Sequence, residues 1–169
     1  MLLAVRLRSL ALALLFVCSA CGYHFGPVDG ESTTISVEMF GNKTTEPQLE
    51  MEFTNLMISE LARSPLFTPV EDVLEGQLSL EGTVTGYTSS AVAYNSDDKI
   101  VRYLVTVKAA VTLREEPSGR VLWKGKADGA KEYPVDADKG LQRLYEEQAR
   151  NTALIRLAEE ISRRLGQRF

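Results

Sequence analysis

The chain is 169 residues long, 44% hydrophobic, and carries 23 acidic against 19 basic side chains for a net charge of −4. That length provides for one domain with a real core, and no nucleic-acid partner is expected of it. With one histidine and two cysteines in the whole sequence, neither a nucleophile–base pair nor a soft-ligand metal site can be assembled, so catalytic residues, metal and cofactor are all expected to be none.

Residues 1–20 read as a secretory signal peptide. Arg6 and Arg8 form the basic start, residues 10–17 an apolar run too short to span a bilayer comfortably, and Ser19 and Ala20 the small residues of a cleavage site. Val17-Cys18-Ser19-Ala20-Cys21 closes the signal in the manner of a bacterial lipobox, which implies cleavage before Cys21 and acylation of its sulfur and its new amino group. Cys18 stands where a lipobox prefers Leu. Cleavage before Cys18 would leave Val17 at the cut, and valine is not small, so Cys21 is the better site. Two or more acyl chains hold a protein stably on a membrane. Residues 21–32 then form the lipidated N-terminus and a tether containing Gly26, Pro27 and Gly30. The mature chain keeps one cysteine and no intrachain disulfide, and residues 33–169 are expected to be a single domain.

Within that domain, residues 33–40 alternate Ile35, Val37 and Met39 against Ser36 and Glu38, the period of a half-buried strand. Gly41-Asn42-Lys43 breaks it. A helix follows, with Thr45 and Gln48 at capping-box spacing and Pro47 in the first turn. Leu49, Phe53, Leu56, Met57 and Leu61 make its apolar stripe, and Pro65 ends it. Residues 67–70 are either a short strand or a connection. Residues 77–94 and 100–113 are long strands joined by the turn at 95–98, and residues 121–131 add another after the turn at 116–119. Val101, Tyr103, Val105, Val107, Ala109, Val111 and Leu113 share one face of the middle strand. A closing helix starts near Asp138, with Leu154, Ala158, Ile161 and Leu165 as its stripe. The expected fold is α+β: a two-layer sandwich, its mainly antiparallel four-stranded sheet carrying two helices on one face.

Charge falls in blocks. Residues 29–98 hold 13 acidic and 2 basic side chains, whereas residues 99–131 hold 8 basic and 3 acidic. Alternation puts Arg102 and Lys108 on one face of the long strand, and Lys124 and Lys126 on one face of the next. Two readings stand: the solvated side of a half-exposed sheet, or an anion-binding or partner-docking surface. On the second reading the candidate ligand- or partner-binding residues are Tyr94, Lys99, Arg102, Lys108, Lys124, Lys126 and Lys131. Asp97 and Asp98 are read as solvated turn carboxylates.

Cys21-Gly22-Tyr23-His24-Phe25, then Ile35-x-Val37-x-x-Phe40-x-Asn42-x-Thr44-x-Glu46-Pro47-x-Leu49-Glu50 with Phe53-Thr54, resembles the lipopolysaccharide-assembly lipoprotein family LptE. The later hairpins and closing helix agree in order, so the likeness covers the mature chain. The resemblance implies an α/β sandwich and a lipid anchor in the outer membrane, with the domain facing the periplasm or inside a barrel lumen. It also implies two partners: an LptD-like β-barrel that the domain plugs and supports, and lipopolysaccharide. Gly22 directly after the lipid, rather than Asp, agrees with sorting to the outer membrane. The alternative is a lipoprotein regulator or accessory subunit of a peptidoglycan-synthesis or other envelope complex. An enzyme on a lipid tether would need a catalytic constellation that these residues lack.

Overall fold

The computed structural model describes residues 32–168. The expected signal peptide, the acylation site at Cys21 and the tether up to residue 31 lie outside the described residues. In chain order the elements are β1 (Thr33–Val37), β2 (Gly41–Asn42), α1 (Leu49–Arg63), β3 (Phe67–Val70), a 3-10 turn (Val73–Glu75), β4 (Leu78–Tyr94), β5 (Ile100–Glu115), β6 (Arg120–Pro134) and α2 (Lys139–Gly166). They form one sheet in the order β3-β1-β4-β5-β6, with β2 also paired to β4.

The sheet departs from the expected four antiparallel strands. It has six strands and is mixed: β4–β5 and β5–β6 pair antiparallel, whereas β1–β3, β1–β4 and β2–β4 pair parallel. The reason is connectivity. A chain that leaves β1, forms α1 and returns beside β1 as β3 makes a crossover, and crossovers join parallel strands. β1 and β2 are two pieces of one interrupted strand, meeting β4 at residues 78–80 and at residues 83–84. Between them the chain bends so that Met39 is exposed and Phe40 turns inward. Phe40 lies over Gly82, where a Cβ would fall 2.3 Å from its ring, and packs edge-on to Phe53 of α1.

The core is one layer deep, between the sheet and the two helices. Ile35, Leu78, Leu80, Val84, Val105, Val107, Ala109, Val111 and Leu113 bury the helix-facing side of the strands. Leu49, Phe53, Met57 and Leu61 of α1, and Ala153, Leu154, Leu157, Ile161 and Leu165 of α2, meet them. These are the periodic positions of two amphipathic helices, and burying each such side chain contributes about 1.5–3 kcal/mol.

The two helix starts differ. At α2, Asp138 caps by accepting from the backbone N–H groups of Gly140 and Leu141 at 2.7 and 3.0 Å. At α1 the capping box does not form: Gln48 occupies the N-cap in a left-handed conformation, φ 65, with no side-chain cap hydrogen bond. Asn42 organises that entry instead. Its amide donates to the Glu46 carbonyl and to Glu50 Oε2, each at 2.8 Å, and its carbonyl oxygen accepts from the Thr44 N–H and hydroxyl.

Candidate binding surface

β5 and β6 pair with Lys108 opposite Asp128, Ala110 opposite Lys126 and Thr112 opposite Lys124. Because the odd-numbered β5 residues between them are buried against the helices, pleating puts Arg102, Lys108, Lys124 and Lys126 together on the other, uncovered face. Two expected groups therefore share a surface across two strands. Its charges are partly answered: Arg102 donates to Glu132 Oε2 at 2.9 Å, and Arg114 to Glu81 Oε1 at 2.7 Å. Both pairs are more than a third exposed, so each contributes little to stability. Between the charges the face is Thr83, Thr88, Ser90, Thr106, Ala110 and Thr112, small and polar, with Lys124 beside Glu81 and Thr83 in a shallow depression.

The remaining candidates lie elsewhere. Lys131 pairs with buried Val105, which puts it on the helix side, in a groove with Tyr133, Tyr145 and Ala149. Tyr94 and Lys99 sit at the far end of the β4–β5 hairpin, where Asn95 organises the turn by accepting from the N–H groups of Asp97 and Lys99. Of the tyrosines along the hairpins, Tyr103 stacks on Tyr133 at 5.6 Å, and the Tyr133 hydroxyl is 2.9 Å from Ser89 Oγ. Tyr87 is half-buried, and its hydroxyl is pushed up to about 12, first by desolvation and then by Glu146 and Glu46. These aromatics belong to the helix side of the sheet rather than to the basic face.

Sequence reasoning singled out Tyr94 but missed the apolar side chains exposed with it at the hairpin end. Val92, Tyr94 (59% exposed), Val101 and Val135 are open there, and Val135 N–H donates to the Val101 carbonyl at 3.1 Å. Leu141 and Leu144, in the first turns of α2, are exposed at the same end. The signal was present for Leu141, which lies eight residues before buried Ala149 on the same helical stripe, where the helix runs past its packing partners. This end also carries Lys99 and Arg102; Arg102 shares the uncovered face with Tyr94, which pairs with Ile100, whereas Val101 lies on the opposite face.

A second charged cluster joins both helices. Arg150 of α2 donates to Glu46 at 3.1 Å and to Glu52 at 3.0 Å, beside Tyr87, Arg143, Glu146 and Glu147 in a cavity of about 280 Å³. It ties the α1 entry to α2 through Arg150, whose Nε is buried with no hydrogen-bond partner among the described residues. Among the described residues no group of His, Cys, Asp and Glu is placed to hold a metal ion, and no helix is long and apolar enough to cross a membrane.

The model of the LptE family, described as lipopolysaccharide assembly, matches residues 32–169. No curated protein sequence matches the chain. Among solved structures, the rare lipoprotein B from Shewanella oneidensis superposes with a TM-score of 0.56 at 13% identity, covering 79% of this chain and 94% of that one. A protein from Xanthomonas campestris gives 0.59 at 12% identity, over 85% and 94% of the two chains. A putative lipoprotein from Caulobacter crescentus gives 0.54 at 14% identity, over 79% and 88%. At such identities these likenesses establish the fold.

Proposed function

The chain belongs to the LptE lipopolysaccharide-assembly family, and from that premise we propose that it is an outer-membrane lipoprotein, acylated at Cys21, that binds lipopolysaccharide and supports an LptD-like barrel from within. The observation that carries the ligand half of this reading is the hairpin end, where Lys99, Arg102 and the exposed side chains of Tyr94, Val101 and Val135 are gathered at one end of the sheet. Lipid A presents phosphates beside acyl chains, and a receptor for it needs cations next to apolar area. Arg102 ranks first, because a guanidinium meets phosphate oxygens in a bidentate fork. A bound phosphate would compete with Glu132 for it. The uncovered basic face, with Lys108, Lys124 and Lys126, is the side of the domain suited to the polar lining of a barrel. The protein has no catalytic role in this reading.

Charge-assisted hydrogen bonds contribute about 1.5–3 kcal/mol each, so losing two weakens binding about a hundredfold or more. Lys99→Glu with Arg102→Glu should therefore abolish lipopolysaccharide binding, while Arg63→Glu with Arg168→Glu, at the other end of the domain, should leave most of it. Equal loss from both pairs would mean diffuse attraction and would remove the hairpin end from consideration. Protein extracted from membranes should carry acyl mass on a chain beginning at Cys21 and should co-purify with a β-barrel. Recovery with a peptidoglycan synthase instead would favour an accessory role in wall synthesis.

A further inference from the structure

β6 is an outermost strand of the sheet and is 15 residues long. An edge of that length presents a row of backbone groups on which another strand can pair. In an antiparallel ladder a residue's N–H and C=O point to the same side, and the side alternates along the strand. Lys126, Asp128 and Ala130 thus share the outward edge. Two of their three carbonyls are occupied. Arg156 Nη1 donates to the Ala130 carbonyl and Arg164 Nη1 to the Lys126 carbonyl, each at 2.7 Å.

The spacing makes this a matched pair. Eight residues of α-helix rise about 12 Å, and four residues of antiparallel strand about 13 Å. With α2 running antiparallel to β6, both guanidiniums meet their carbonyls in step. Between them on the helix, Glu160 accepts from Arg164 Nε at 2.7 Å and holds that guanidinium towards the edge. The opposite edge is closed by other means: β3 has four residues, and one is Pro69, which has no N–H to offer.

We infer that Arg156 and Arg164 are edge guards, which keep β6 from pairing with β6 of a second copy of this chain. A second copy is the fitting occupant because the edge is complementary to itself. Antiparallel pairing centred on Asp128 sets Lys124 of each copy against Glu132 of the other, two opposite-charge pairs on the uncovered face that outnumber the one like-charge pair between them, Asp128 against Asp128. A strand seated there needs its N–H groups on the carbonyls of Lys126 and Ala130, the two acceptors the arginines hold.

The test is the mass of the full chain in detergent solution by sedimentation equilibrium over a range of concentrations, with circular dichroism to verify the fold. The unaltered protein should sediment as one chain. Arg156→Met with Arg164→Met keeps the aliphatic stems over the sheet and removes the donors, and should shift the mass to two chains as concentration rises. Adding Asp128→Pro removes an outward N–H at the centre of the proposed pairing and should return the mass to one chain. Glu160→Gln, which loosens Arg164 without deleting it, should give a weaker shift in the same direction and serves if the double variant does not fold. A one-chain mass in the folded double variant overturns the inference, as does a one-chain mass in Glu160→Gln should the double variant be unfolded. A two-chain species that survives Asp128→Pro also overturns it, because the contact then lies elsewhere.

Discussion

At Gly129 of β6 an added Cβ would lie 2.1 Å from the Ala153 carbonyl oxygen and 2.6 Å from the Leu157 backbone nitrogen. Both atoms belong to helix backbone and cannot rotate away as a side chain would, so Gly129→Ala must lift α2 from the sheet. Overpacking of this kind costs about 1–3 kcal/mol, and urea denaturation should place the variant at the upper end. Tyr87 gives a residue-scale prediction of different character. Its hydroxyl is pushed up to about 12 from 10.0, by desolvation first and then by Glu146 and Glu46. Between those values the folded chain keeps a proton that the unfolded chain has lost, so its contribution to stability is complete below pH 10 and disappears as pH rises towards 12. Spectrophotometric titration should show the Tyr87 phenol ionising well after the exposed ones, with Tyr133 also shifted upward by burial. Tyr87→Phe should flatten the alkaline fall in stability over that interval; an unchanged fall would assign it to other groups.

Among the elements, the two helix starts predict opposite outcomes for similar substitutions. Asp138→Ala removes an N-cap and should cost about 1 kcal/mol. Thr45→Ala should stay within about 0.5 kcal/mol, since Thr45 is exposed and caps nothing. Asn42→Ala should cost about 1–3 kcal/mol, because it strips partners from the Glu46 carbonyl and the Thr44 N–H. Thermal or denaturant melts of the three variants check the order. The same contrast explains what the sequence made legible. Asp138 caps through its own side chain next to a periodic stripe, which is local information. Asn42 acts on a loop whose shape depends on β2 already lying along β4, which is not local. Both helices and the three long strands were readable from apolar period and turn residues. The parallel ladders were not, because β1 and β3 are five and four residues long and their order is fixed by a crossover through α1. Alternation alone put Arg102 with Lys108, and Lys124 with Lys126, each on one face of its own strand; that the two faces coincide, and that Lys131 lies on the helix side, required the register.

For the whole molecule, the expectation is a domain that stands on its core. Both cysteines of the sequence precede the described residues, and the apolar layer between sheet and helices is continuous. A Cys21→Ser chain should therefore fold, and reductant or chelator should leave its thermal midpoint unchanged. A fall of several degrees with either would reveal a crosslink or ion essential to the fold. One consequence concerns force. β1 is the strand nearest the N-terminus and lies inside the sheet, laddered to β3 on one side and β4 on the other. Tension applied at Thr33 along that strand's axis loads both rows of hydrogen bonds in shear, all at once, instead of peeling them one after another. A domain towed by its N-terminus is thus gripped through two ladders at once, and the load passes into β4 and on through the long hairpin.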